Sequence, residues 1–311
     1  MARCPRVARR YLRRTLCGVL LMLLTGGVMA ADGRGEGNVS LPGTRQWTMH
    51  SPETGGDYLI QVAVPDGPAP AAGYPVLYVL DGNARFPLLL AARESLTRHG
   101  PAASPEPLLI VGVGYTDTER FAFDRRSRDY TPPVQGSPDR PPQERPHGGA
   151  PRFLDFIETH LKPAIYERFA VDTGRETLLG HSYGGLFAVY TLLTRPAAFD
   201  RYAAISPSLW WYPAGGPAVA GNGVSADGAQ APAVLLGVGA REQTPGPSAQ
   251  GTPRAARVRE RAMVDRTRDM AAALRAAHPD WGVDLTVFAG EDHGSVMWPA
   301  ARAALTLALR P

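Results

Sequence analysis

Apolar and polar positions first alternate with a period of two. "RQWTMHS" (45–51) and "DYLIQVAVP" (57–65) flank the turn-like "PETGG", which predicts an antiparallel hairpin at one sheet edge. From residue 74 the pattern changes. "YPVLYVLDG" (74–82), "EPLLIVGVGY" (106–115) and "PAVLLGVGA" (232–240) are unbroken apolar runs rich in β-branched residues, the pattern of strands covered on both faces. "TLLG" (177–180), "RYAAISPSL" (201–209) and "VDLTVFAG" (283–290) read as further strands. Helical spacing predicts helices over 86–100, ending at Gly100, over 151–169 with a kink at Pro163, over 185–195, over 257–278 and over 297–309. The stretch 117–150, rich in Arg, Pro and Gly, reads as a long irregular segment of the functional or disordered kind, and 213–230 as a low-complexity loop. Strand and helix alternate from residue 74 to the end with no internal repeat, so the expected fold class is α/β. It has a mostly parallel central sheet with helices on both faces and the antiparallel hairpin at its N-terminal edge.

The first thirty residues alter this picture. "MARCPRVARRYLRR" holds six arginines and no acid, and the apolar "TLCGVLLMLLTGGVMA" ends at Val28-Met29-Ala30. These are the parts of an export signal, and the apolar stretch is short for a membrane span. Arg9-Arg10-Tyr11-Leu12 hints at twin-arginine export, but the matching Ser and Lys positions are missing. The expected organisation is a signal peptide over 1–30 and one domain over 31–311, located in the periplasm and not inserted in the membrane after cleavage. Without those six arginines the formal charge of +4 becomes −2, so the basic balance gives no support to a nucleic-acid partner. Cys4 and Cys17 both lie in the signal, so the domain is expected to hold no disulfide, no thiol nucleophile and no Cys-bound metal.

The chemistry centres on "TLLGHSYGGLFAVYTLL" (177–193), in which a strand and a helix are joined by Gly-x-Ser-x-Gly around Ser182. A turn this tight forces its central residue into a strained conformation and raises the hydroxyl above the sheet at a helix N-terminus. Serine needs a base, and in an α/β-hydrolase the chain order is nucleophile, acid, histidine. Two histidines follow Ser182. His278 sits at a helix end before Pro279, whereas His293 follows a strand in "EDHGSV", where this fold places its base. Glu242 lies just past strand 232–240 and is the candidate acid; Glu291 and Asp292 adjoin His293 too closely to reach behind its ring. An oxyanion hole would use the backbone N–H of Tyr183 with that of Gly82 or Asn83. Asp81, after the same strand, reads as a turn residue rather than a catalytic one.

"YPVLYVLDGNARF", "RDYTPP", "LLGHSYGGLFAVYTLLTRPAAFDRYAAISPSLWW" and "EDHGSV" together resemble the esterase (esterase D-like) branch of the α/β-hydrolases. They are most similar to its periplasmic hydrolases of enterobactin- and salmochelin-type siderophores. The resemblance implies the α/β-hydrolase fold, no cofactor and no metal, and hydrolysis of the lactone esters of a catecholate siderophore, iron-loaded or free. It implies Ser182 as nucleophile, His293 as base, the Asn83 and Tyr183 amides as oxyanion hole, and Arg128 near the substrate. A ferric catecholate is a trianion with aromatic faces, so Arg120, Arg125, Arg126 and Arg128 with Trp210 and Trp211 are candidate contacts. The chain departs from the pattern at 134–150, 214–230 and 243–254, which bears on substrate size more than on reaction type. A monomer is expected. A general carboxylesterase for small acyl esters and a non-catalytic siderophore-binding protein are the other readings.

Overall fold

The computed structural model describes residues 40–98, 107–133, 145–212, 231–246 and 250–311. The export signal expected over 1–30 lies outside them, as does the 213–230 loop. Gly43–Pro311 forms one compact unit built on an eight-stranded sheet. The strands are β1 (Thr44–Ser51), β2 (Gly56–Ala63), β3 (Tyr74–Leu80), β4 (Leu109–Tyr115), β5 (Val171–His181), β6 (Arg201–Ile205), β7 (Ala233–Gly239) and β8 (Gly282–Phe288), in the spatial order 1-2-4-3-5-6-7-8. β1 pairs antiparallel with β2 from Thr44↔Ala63 to Ser51↔Gly56, and β2 pairs antiparallel with β4; every other pair is parallel.

The unbroken apolar runs have the expected cause. Every residue of β3, β4 and β6 is buried, and side chains alternate between two cores. Leu77 and Val79 face α1 (Gly82–Arg98) and α8 (Met297–Ala308), whose Leu89, Met297, Ala301 and Leu305 complete one core. Val76, Tyr78 and Leu80 face the other, which holds Phe153, Phe156, Phe187, Met270 and Leu274. Those residues come from α3 (Ala150–Phe156), α5 (Tyr183–Thr194) and α7 (Met263–Ala277). This is the α/β-hydrolase arrangement, with the antiparallel pair at the N-terminal edge.

Several elements differ from the sequence reading. α1 begins at Gly82, because Asp81 turns the chain at φ 55° and its carbonyl accepts from the Ala84 and Arg85 N–H groups. The irregular stretch 117–150 contains α2 (Phe123–Tyr130), whose polar sequence hides it from an apolar-period search. The helix over 151–169 is three pieces: α3, a wide π turn at Ile157–Leu161, and α4 (Lys162–Tyr166). The wide turn accommodates Pro163, which has no N–H to donate and would crowd the preceding turn. β6 stops at Ile205, and Leu209–Trp211 is a 3₁₀ turn. The helix expected over 257–278 is two helices, α6 (Pro253–Arg261) and α7, broken at Ala262 in the left-handed region (φ 43°).

Candidate active site

Ser182 stands between β5 and α5 at φ 61°, ψ −115°, a conformation that side-chain-bearing residues avoid. Three hydrogen bonds hold it there. Its N–H donates to the Ile205 carbonyl (3.0 Å), and its carbonyl accepts from the Leu186 (2.9 Å) and Ser208 (3.1 Å) N–H groups. Strain fixed from several sides is a feature of functional turns. The glycine requirement falls on Gly180 and Gly185. A Cβ at Gly180 would stand 2.0 Å from the Gly184 carbonyl oxygen, and one at Gly185 would stand 2.8 Å from that of Ile205. Gly184 itself has room for a methyl group, 3.5 Å from Leu80.

Ser182, His293 and Glu242 come from three separate loops and meet in a line. The Ser182 hydroxyl lies 3.0 Å from His293 Nε2, and His293 Nδ1 lies 2.6 Å from Glu242 Oε2. The Glu242 side chain is almost wholly buried (1% exposed), whereas the His293 ring is 47% exposed. The other Glu242 oxygen, Oε1, accepts from the Ser206 hydroxyl (2.5 Å) and the Gly239 N–H (2.7 Å). Both carboxylate oxygens are therefore engaged. A carboxylate so bound demands a proton on His293 Nδ1, which leaves the Nε2 lone pair to receive one from Ser182. The arrangement can generate a serine nucleophile and stabilise the imidazolium that forms.

Two residues not singled out in the sequence support this line. Ser206, in "SPSLWW", adopts φ 45° and carries the hydroxyl that holds Glu242. His181 is buried directly before the nucleophile. Arg85 Nη2 donates to its Nδ1 (3.1 Å), so its Nε2 carries the proton and donates to the His293 carbonyl (3.0 Å). Burial, with His293 and Arg85 nearby, holds His181 well below its ordinary pKa and hence neutral. No spacing rule points to either residue. The His293 loop is also folded locally. Asp292 Oδ1 accepts from the Gly294 (2.8 Å) and Ser295 (3.0 Å) N–H groups, and those bonds lower its pKa.

The remaining candidates separate. Tyr183 N–H and Asn83 N–H both lie in first helical turns, where N–H groups have no acceptor within the helix. The Asn83 side chain is fixed by Tyr115 N–H (2.8 Å) and by the Tyr115 and Thr118 carbonyls. Asp81 is structural: its two oxygens accept from Arg126 Nε and Nη2 (2.8 and 2.9 Å) in a buried pair. Trp210 lines a cavity of about 390 Å³ with Ser182, Tyr183 and His293. Trp211 does not; it is buried, with its Nε1 donating to the Pro132 carbonyl. Arg125 and Arg128 are likewise not among the residues lining that cavity. Arg125 lies over the Tyr58 and Tyr115 rings and donates to the Asp57 carbonyl (2.6 Å). Arg128 pairs with buried Asp129 (2.8 Å). Arg125 thus ties α2 to the edge hairpin, and Arg128 is paired with its own neighbour within α2. Among the described residues, the cations that line the cavity are Arg254, Arg257 and Arg261 of α6.

A strained serine after β5, with its histidine after the last strand, defines an α/β-hydrolase. Residues 51–286 match the family described as "Putative esterase", and the chain belongs to that family. It is 43% identical over 176 residues to the ferri-bacillibactin esterase of Bacillus subtilis (strain 168), covering 55% of this chain and 61% of that protein, so it spans less than two thirds of that relative. It is 36% identical over 286 residues to the siderophore triacetylfusarinine C esterase of Aspergillus fumigatus, covering 86% and 94% of the two chains. The solved siderophore hydrolase EstB from Aspergillus nidulans superposes with a TM-score of 0.71 at 32% identity, over 88% of this chain and 96% of that one. The chain is thus a hydrolase acting on ester bonds, and its relatives are siderophore esterases.

Proposed function

We propose that this protein is a serine esterase that opens the lactone ester bonds of a catecholate siderophore such as enterobactin. The observation that carries the reading is the Ser182–His293–Glu242 line opening into a cavity walled by Trp210, Tyr183 and cationic side chains. Ser182 Oγ attacks the ester carbonyl while His293 Nε2 takes its proton, and Glu242 holds the imidazolium. The oxyanion receives the N–H groups of Tyr183 and Asn83. Collapse breaks the ester C–O bond, and the serine hydroxyl of the substrate leaves with the proton from His293. Water then repeats the sequence on the acyl-enzyme and frees the acid. In the same reading residues 1–30 direct export to the periplasm, where the domain acts as a monomer.

The test is incubation of the mature protein with enterobactin in iron-free and ferric form, beside Ser182→Ala, with chromatography of the products. Linear trimer, dimer or monomer from the parent alone is expected. If enterobactin stays intact while p-nitrophenyl butyrate is cut, the substrate reading is wrong and the second reading, a general carboxylesterase, replaces it. That second reading is favoured by the cavity volume, which lies at the small end for ligand pockets. N-terminal sequencing of periplasmic protein tests the export reading, with Ala31 as the expected first residue.

A further inference from the structure

α6 contributes little to the core. Of its nine residues only Ala255 is buried, and Thr252 caps it by accepting from the Ala255 N–H (3.2 Å). Four of the nine are arginines, and a helix of that composition is ordinarily a solvated face. The geometry argues otherwise here. Arg254, Arg257 and Arg261, spaced three and four apart, share one face and line the cavity that holds Ser182 and His293. Arg259 is not among the lining residues. The three are exposed, and among the described residues no carboxylate stands within ion-pair distance of them. Arg261 stands over Trp210, its Cζ 4.4 Å from the ring centroid, and is itself exposed, so a guanidinium already engaged with one aromatic ring is accessible to a second. The break at Ala262, left-handed in a residue with a side chain, sets α6 at an angle to α7. A continuous helix would carry these arginines along the α7 axis.

We propose that Arg254, Arg257 and Arg261 form an anion-selecting wall of the substrate cavity, so that the enzyme prefers esters whose remaining groups carry net negative charge. Joined to the siderophore reading above, on which this consequence rests, the preferred form is the iron-loaded one. A free catechol is neutral near pH 7, whereas iron displaces both protons from each catechol, and the tris-catecholate complex is a trianion. The wall holds the charged chelate, an aryl arm stacks on Arg261, and the lactone ring is presented to Ser182.

Two substrate pairs test this: ferric against iron-free enterobactin, and an anionic ester, p-nitrophenyl hemiglutarate, against neutral p-nitrophenyl butyrate. For each pair the ratio of kcat/KM is measured in the parent, in R254Q/R257Q/R261Q, in the corresponding triple lysine variant and in Arg259→Gln. Three exposed charge contacts together amount to roughly thirty-fold, so the triple Gln variant should lose roughly that much of the anion preference. The lysine variant should recover most of it, Arg259→Gln should keep it, and 0.5 M NaCl should erase it in the parent. If the ratios are the same in the parent and the triple Gln variant, or if Arg259→Gln lowers them equally, the wall does not exist. If the parent cuts neither form of enterobactin, the siderophore reading fails on its own and the p-nitrophenyl pair still decides the wall.

Discussion

Replacing Glu242 with Gln changes no volume, yet it should nearly abolish turnover. Oε1 accepts from the Ser206 hydroxyl and the Gly239 N–H, and Oε2 faces His293 Nδ1. A glutamine must turn its NH₂ toward one side or the other. Facing Gly239, it sets two donors against each other and leaves a buried N–H unbonded, at a cost of about 2 kcal/mol. Facing His293, it requires an unprotonated Nδ1, which moves the proton to Nε2 and removes the base. The first arrangement retains the active tautomer in roughly one molecule in thirty. That population also lacks the carboxylate's charge-assisted bond to the imidazolium, a further loss of about 2 kcal/mol. The sum, about 4 kcal/mol, is roughly a thousand-fold in kcat. The assay is kcat on p-nitrophenyl butyrate at pH 7.5, with circular dichroism to confirm folding. A loss smaller than tenfold would refute the argument, because it would mean that Glu242 does not set the histidine tautomer.

Gly180→Ala should not give a stable enzyme, because its methyl group would meet the Gly184 carbonyl at 2.0 Å; a loss of at least about 3 kcal/mol in denaturant unfolding is expected. Gly184→Ala should fold and keep kcat within tenfold, since its methyl has ordinary contacts and the position is helical; equal damage from both would contradict the geometry. His181→Gln removes a group held neutral by burial, and should lower kcat on p-nitrophenyl butyrate roughly tenfold through displacement of the His293 loop. It should also alter the acid response. The His181 pKa is depressed by folding, so its contribution to stability is complete above its ordinary 6.5 and is lost as pH falls below that value, when the unfolded chain takes a proton that the folded chain refuses. Urea midpoints should therefore fall less between pH 7 and pH 5 in the variant; parallel curves would show that His181 is not buried neutral.

The central strands, and the three side chains that meet at the elbow, were legible in the sequence for definite physical reasons. A strand buried on both faces must be apolar throughout, so β3, β4 and β7 declare themselves. Gly-x-Ser-x-Gly between a strand and a helix has one common geometric outcome, and chain order then leaves few choices for histidine and acid. What stayed hidden was whatever depends on contacts distant in sequence. Ser206 supports Glu242 across 36 residues, and His181 holds the His293 carbonyl across 112. Nothing local to either residue reports those distances. Even the motif is read imperfectly: its second glycine is spacious, and the crowded neighbour is Gly185.

The arginines show the same limit most sharply. The run at 120–128 includes Arg128, expected near the substrate from the sequence resemblance, and composition alone makes it the natural source of positive charge. In the folded chain Arg126 is neutralised by Asp81, Arg128 by Asp129, and Arg125 lies on two tyrosine rings. Arg126 and Arg125 thereby hold α2 against the sheet and the edge hairpin, and Arg128 is satisfied by its own neighbour in α2. The cations left facing the cavity come from a helix whose periodicity runs smoothly into the next one, and only the left-handed turn at Ala262 separates the two. Alanine has no local preference for that conformation, so no residue type marks the break. Which cations face the cavity is thus decided by a backbone event that the sequence does not announce. It follows that relatives with equally basic α6 segments but an unbroken helix should lack the anion preference.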